Sequence, residues 1–305
     1  MAKEYPTCIF PDILDLVSDP PKKDNWVPAN LKLVNAASCV KHNGECRLKL
    51  EETELGVVGA PCVLFSAYGL REGFATKNVD VKHAHDVSMK FQQSTPVSVH
   101  ENVPNYDEAR LCPRQFGHPN RRLRVWRILF DKETKKWSAD RSLGELANLI
   151  LAPIETKPEL DFNAYLWASP NELEGKAVKE EDLTRTQQKH LRLFREARPD
   201  KSLYDLSANP MKRCRTETVD NCLPCLTTSS QLWSEKAKRL MLGKEQLHAL
   251  GFPCSTRGAA AARTDAVGVD YLSEAALRSI SGNGMSLPCA GFILLMTVLC
   301  VSDRC

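Results

Sequence analysis

A proline-preceded cysteine in a glycine-flanked apolar turn, Gly59-Ala-Pro61-Cys62-Val-Leu-Phe-Ser66, is a candidate for nucleophilic chemistry. The thiolate is the attacking form. A free thiol with a pKa of ~8.5 is only slightly ionised at neutral pH, so a nearby cation would raise the reactive fraction. Three further segments carry complementary groups: Glu101-Asn-Val103 offers a carboxylate, Asn120-Arg-Arg122-Leu-Arg124 offers guanidinium groups, and Gly282-Asn283-Gly284 offers a tight turn. Singly, each has an ordinary explanation. Most cysteines are small buried thiols, a carboxylate at a strand end is commonly solvated, a basic run is usually an exposed face, and Gly-Asn-Gly before an apolar run reads as a turn and helix start.

The elements that must position these groups alternate. Thr7 to Ile13 reads as a short strand entering an acidic loop, and Leu55 to Ser66 as an apolar strand broken by glycine and proline, followed by a turn-rich loop through Gly69 and Gly73. Val79 to Gln93 has helical spacing, Pro96 to Asn102 is a second strand, and Arg124-Val-Trp-Arg-Ile-Leu-Phe is a third on its β-branched and aromatic content. A reactive group at the carboxyl end of a strand is where open α/β sheets place their chemistry. Residues 132 to 209 change character, with charged helical patterns at Ser142 to Leu151 and Asp182 to Ala197. Lys244 to Leu250 predicts a helix stopped by Gly251 and Pro253, and the Ala/Gly/Arg-rich stretch 255 to 268 predicts a flexible loop.

Bulk properties narrow the classes further. The 305 residues are 43% hydrophobic and 26% charged, with a formal charge of +3, which describes a globular chain rather than a disordered or strongly basic one. A nucleic-acid partner would therefore have to be met by a local cluster, and Arg110, Arg114, Arg121, Arg122, Arg124 and Arg127 are the densest. Twelve cysteines at irregular spacing, in a chain that opens without a secretory pattern, predict intracellular thiols rather than a disulfide framework. The apolar run Ala290 to Val301 is too short for the ~20 residues of a membrane span and predicts a buried terminal helix.

Order and spacing join the four segments. Gly59-Ala-Pro-Cys62, Glu101-Asn-Val103, Asn120-Arg-Arg122-Leu-Arg124 and Gly282-Asn-Gly284 together resemble the motif series of the cytosine-5 DNA methyltransferases. Leu223-Pro-Cys-Leu-Thr-Thr-Ser229 is similar to that family's threonine-rich stretch, Glu245 to Pro253 to its helix ending in Gly-Phe-Pro, and Phe10-Pro-Asp12-Ile13 to its acidic turn toward the cofactor adenine. The resemblance implies an α/β, Rossmann-like class I methyltransferase fold with a mostly parallel sheet and a smaller, partly helical lobe. It divides the chain into a catalytic core (1–131), a target-recognition-like lobe (132–233) and a segment returning to the core (234–305). The cofactor would be S-adenosyl-L-methionine, with Asp12, Ile13, Pro61, Gly282 and Asn283 at matching contact positions.

The chemistry implied for the family follows from the ring it acts on. Cytosine C5 is a poor nucleophile, and addition of the Cys62 thiolate at C6 makes the ring enamine-like at C5. Glu101 would share a proton with N3, Arg124 would hold O2, and Arg122 would brace the loop carrying Cys62. The target base would be flipped out of DNA, with the Gly69 to Gly73 loop closing over it. A nuclear location follows from that substrate alone.

The sequence also departs from the family. It has no counterpart of the opening strand with its Phe-x-Gly-x-Gly loop, nor of the acidic residue after the next strand, so a core lacking its first strands is expected. Val63 stands where the family has glutamine. The alternatives are an inactive remnant retaining the motif residues, and an enzyme acting on cytosine in RNA such as tRNA. No metal is expected; the rival reading takes Cys214, Cys222 and Cys225 as zinc ligands, with His118 or Cys254 recruited in space.

Overall fold

The computed structural model describes residues 16–18, 31–39, 42–48, 53–59, 86–87, 90, 95–102, 109–153, 161–212, 214–217 and 221–304. In chain order the strands are β1 (Val17–Ser18), β2 (Lys32–Leu33), β3 (Ala36–Cys39), β4 (Gly44–Arg47), β5 (Leu55–Gly59), β6 (Val97–Asn102), β7 (Ala109–Leu111), β8 (Arg124–Phe130), β9 (Lys135–Trp137), β10 (Leu203–Asp205), β11 (Leu232–Ser234), β12 (Arg239–Leu240) and β13 (Val301–Asp303). The α-helices among the described residues are α1 (Leu143–Leu151), α2 (Pro170–Leu173), α3 (Arg185–Ala197), α4 (Gly243–His248), α5 (Thr256–Ala262), α6 (Glu274–Asn283) and α7 (Leu287–Cys300). None of them is long and apolar enough to cross a membrane by itself. The chain is mixed α/β and divides into two compact units, Met1–Ala109 with Val125–Leu143 and Ile293–Cys305, and Arg110–Arg124 with Gly144–Phe292.

The first unit is organised by a mixed sheet in the order β5-β6-β8-β7. Strands β5 and β6 run parallel, and β8 runs antiparallel to β6, so the mostly parallel sheet expected from the sequence is mixed among the described strands. The β-branched and aromatic content that predicted β8 has its physical counterpart in Trp126, fully buried with Val125 beside it, and in β6 Val99 is fully buried with Val97 also inside. Val17, Leu31 and Val87 form a separate small cluster. Three antiparallel strand pairs join the sheet among the described residues of this unit: β1 with β2, β3 with β4, and β9 with β13.

The second unit packs helices on the antiparallel sheet β10-β11-β12. One core gathers Phe162, Tyr165, Leu203, Leu226, Leu232 and Leu250, and another gathers Leu191, Phe194, Tyr204 and Trp233. Helix α3 shows why. Thr184 caps it by accepting from the Gln187 N–H, and Leu191 and Phe194, three apart, share the face turned to the core. Phe194 then stacks on Tyr204 of β10 with ring centroids 5.2 Å apart. The predicted helix at Lys244 to Leu250 is α4, and Gly251 follows it with φ +93°. A side chain at 251 would meet Pro288 at 2.6 Å as well as an unfavourable backbone conformation.

Two sequence expectations change. Residues 255–268, read as a loop, contain helix α5. Ser255 caps it by accepting from Gly258 N–H, Ala259 to Ala262 supply the strongest helix formers, and Arg263 ends it in the left-handed region. The apolar run near residue 290 is a helix as expected, but only one stripe of it is buried. Cys289, Ile293, Met296 and Cys300 lie inward, while Leu295, Val298 and Leu299 are exposed, because a helix turns its apolar run through every direction when only one face has a neighbour.

Candidate active site

The β5–β6 register puts Gly59 opposite Glu101, and the β6–β8 register puts Glu101 opposite Trp126. Both partners of β6 therefore meet it near its carboxyl end. Glu101 is buried there. Strand β8 runs the other way, so its first residue, Arg124, enters at this same end, one residue before the Val125 that faces Asn102. Cys62, Pro61, Asp12 and Ile13 lie outside the described residues, as does the Gly69 to Gly73 loop.

In the second unit the arginine motif closes on two other motif segments. Arg122, almost fully buried, donates through Nη1 to the Leu226 carbonyl and through Nη2 to the Gly282 carbonyl, each at 3.2 Å. Its Nη1 also lies 3.8 Å from the Cys225 sulfur, and Arg124 Nη2 lies 3.6 Å from the same atom. Asn120 anchors the run at its start by donating to the Ala249 carbonyl at 3.1 Å. The backbone continues the arrangement, with Arg121 N–H donating to Leu223 O and Leu223 N–H to Pro119 O. The fork of a guanidinium suits this work because it can address two carbonyls at fixed angles.

Gly282 is held by steric necessity. A Cβ there would fall 2.0 Å from the Thr228 nitrogen and 2.2 Å from the Thr227 carbonyl carbon, so only glycine lets the backbones approach. Gly282 and Asn283 are the last residues of helix α6, whose start is capped by Ser273, rather than a turn ahead of the apolar helix. Gly284 N–H returns to Ile280 O, and Leu287 N–H donates to Leu250 O, which ties the Gly-Asn-Gly segment to the end of α4.

Sequence reasoning passed over a second arginine, half-buried, with a role in the same wall. Arg215 pairs with the buried Asp205 at 2.7 Å and also donates to the Cys225 carbonyl and to Thr227 Oγ1. Asp205 in turn accepts from Ser207, Ser230 and Gln231. The segment from Cys225 to Ser230 is therefore fixed from both sides by guanidinium groups. Its one sequence signal is the run of hydroxyl residues Thr227 to Ser230, which match the polar neighbours a buried ion pair requires. A second pair, Arg239 with Glu245, is buried and bidentate at 2.8 Å for each contact.

Titratable side chains nearby are governed by burial. His118 Nδ1 meets the Tyr165 hydroxyl at 3.0 Å, and Tyr165 and Trp167 both pack edge-on to His248. Burial lowers the His118 pKa, with the charge of His248 acting in the same sense, and burial likewise lowers that of His248. Burial raises the Tyr165 hydroxyl well above the ordinary phenol value.

The zinc reading built on Cys214, Cys222 and Cys225 does not match this geometry. Cys214 is exposed, Cys222 is buried, and the Cys225 sulfur faces two guanidinium groups, which compete with any cation for that position. Burial pushes the Cys254 thiol up to about 11, against the ionised form a metal needs. Among the described residues the metal-ligand cluster that does form is Cys39, His42 and Cys46.

No protein-family model matches the chain, and no curated protein matches it by sequence. Among solved structures the chain is similar to the S. pombe Dnmt2 methyltransferase at 12% identity and a TM-score of 0.47, over 81% of this chain and 78% of that one. At that level of likeness the functional reading rests on the residues of this chain.

Proposed function

We propose that this chain is a DNA cytosine-5 methyltransferase, moving a methyl group from S-adenosyl-L-methionine to C5 of an extruded cytosine through a covalent adduct on Cys62. The observation that carries the proposal is the convergence of motif segments far apart in sequence. Asn120 to Arg124, Leu223 to Ser229, Glu245 to Pro253 and Gly282 to Gly284 meet through Arg122, Asn120 and Gly282. Support also comes from the sheet edge. Strand β5 ends opposite Glu101, and Cys62 follows Gly59 by three residues, a reach of at most ~11 Å at full extension.

In this reading Cys62 forms the Sγ–C6 bond and the ring's electrons shift to C5. Glu101, held at the strand end, supplies a proton at N3 as that nitrogen gains electron density. Arg124 steadies O2. Once C5 carries the methyl group, with S-adenosyl-L-homocysteine as the other product, water takes the C5 proton, Glu101 takes back the N3 proton, and the C5–C6 double bond re-forms as the Cys62 thiolate leaves. Arg122 does not touch the base; it holds the Leu226 and Gly282 carbonyls and so fixes the wall behind the arginine run.

For the cofactor, two of the matched positions are described. Gly282 is glycine because of the Thr227–Thr228 backbone, and Asn283 beside it is exposed at the end of α6, which leaves its amide facing solvent and fits a polar ligand. Asn283 with Asp12, Ile13 and Pro61 would hold the cofactor, which when bound supplies an electrophilic methyl group.

The test is covalent trapping. Duplex DNA containing 5-fluorocytosine, incubated with the purified chain and S-adenosyl-L-methionine, should give a denaturation-resistant adduct that Cys62→Ala abolishes. Trapping on 5-fluorocytosine tRNA with none on DNA would move the substrate to RNA, and no adduct on either would leave a remnant without turnover.

A further inference from the structure

Strands β3 and β4 pair antiparallel, and between their two cysteines the sequence carries a histidine, His42. Strand register pairs Ala37 with Cys46 and Cys39 with Gly44. Side chains alternate across a strand, so Ala37 and Cys39 share one face and Cys46, opposite Ala37, joins them there. The burial follows, with Ala37 and Cys39 buried and Cys46 half-buried between exposed neighbours. Asn43, at φ 49°, turns the chain so that His42 folds back over the same face. Its Nδ1 lies 3.4 Å from Cys39 Sγ and 3.1 Å from Cys46 Sγ, and the three ligand atoms all lie within 4.8 Å of one another.

We infer that Cys39, His42 and Cys46 bind a zinc-class divalent ion as a Cys2His site. Around a tetrahedral zinc with Zn–S of ~2.3 Å and Zn–N of ~2.0 Å, sulfur and nitrogen ligands stand roughly 3.5 Å apart. The separations of 3.4 and 3.1 Å approach that figure without backbone movement. The chemistry of the donors agrees: two thiolates and a neutral imidazole select a soft transition ion over magnesium or calcium. A single Nδ1 facing two sulfurs presents its one lone pair to a point that all three atoms can share. Binding releases the two thiol protons and leaves the fourth position, on the exposed His42 side, for water or another ligand. A two-stranded hairpin of four-residue strands is marginal by itself, and an ion closing its open end would staple it. None of Cys39, His42 and Cys46 is among the residues assigned to methyl transfer.

The full chain, purified under reducing conditions with zinc supplied and excess removed, should retain about one equivalent by elemental mass spectrometry. Replacement by cobalt should give the thiolate charge-transfer and intense visible bands of a tetrahedral thiolate site. Cys39→Ser, His42→Ala and Cys46→Ser should each lower retention at least tenfold, while Cys222→Ser with Cys225→Ser leaves it unchanged. In the unsubstituted chain, bound zinc should protect Cys39 and Cys46 from alkylation, mapped by peptide mass spectrometry, so the answer does not depend on a variant folding. Absence of stoichiometric metal, protection centred on Cys222 and Cys225, or a Cys39–Cys46 disulfide in the reduced preparation would each overturn the site.

Discussion

Arg122 Nη2 donates to the carbonyl of Gly282, 3.2 Å away and 160 residues later in the chain. That bond joins the arginine motif to the helix end that carries Asn283. Because Nη1 of the same guanidinium serves Leu226 at the same distance, the side chain works as a clamp on two backbone turns.

Arg122→Lys keeps the charge and loses the fork. One ammonium cannot serve both carbonyls, so a buried acceptor is left without its partner at a cost of about 1–3 kcal/mol. Chemical denaturation should show the loss, and adduct formation on 5-fluorocytosine DNA should slow even though residues 62 and 101 are intact.

Gly282→Ala tests a backbone contact rather than a side chain. The added methyl would overlap the Thr228 nitrogen and the Thr227 carbonyl carbon, and neither is the free end of a flexible group. A destabilisation of about 3 kcal/mol is expected from overpacking of this kind. Calorimetry should show a lowered Tm, whereas Gly268→Ala, with nothing near its Cβ position, should leave Tm close to that of the parent.

Glu245→Gln breaks the bidentate pair with Arg239. Glu245 is fully buried and also accepts from the backbone N–H groups of Leu242 and Ala168. Removing its charge leaves the Arg239 guanidinium uncompensated, with an expected cost of about 3–5 kcal/mol. Urea unfolding monitored by tryptophan fluorescence would measure it.

Acid should weaken the fold through His118 and His248. Both are held below the ordinary imidazole value by burial, so below about pH 6.5 the unfolded chain binds more protons than the folded one. Their contribution is complete at neutral pH and declines as the pH falls past that point. The free energy of unfolding measured from pH 7.5 to 5 should drop less in the His118→Gln, His248→Gln variant than in the parent.

Much of this was legible in the residues themselves. Arg124 to Phe130 reads as a strand on its β-branched and aromatic content, and Gly251 stops α4 as its position requires. The resemblance had Arg122 bracing the loop that carries Cys62, which lies outside the described residues, whereas its described partners are the Leu226 and Gly282 carbonyls. What escaped was long-range or short-range in a different currency. Nothing periodic in Thr227-Thr228 announces that Gly282 must lie against it, since that contact exists only once two distant backbones touch. The alanines of α5 were outweighed by neighbouring Gly and Arg until Ser255 supplied a cap. The Cys39, His42, Cys46 cluster lacks the Cys-x-x-Cys spacing that marks a metal site in sequence; Asn43-Gly44, a tight-hairpin dipeptide between the two cysteines, was the available signal.

The way the chain is shared between its two units has a consequence for how it is made. The second unit needs Arg110–Arg124 from before the stretch Val125–Leu143, and the first needs Ile293–Cys305 from after nearly everything else. During synthesis neither can close as its residues emerge: the Arg122 clamp waits for Gly282, and strand β9 waits for its β13 partner. No single cut liberates either unit whole, so dissection by truncation would yield fragments missing a strand or a clamp, and excision of one unit calls for a circularly rearranged gene.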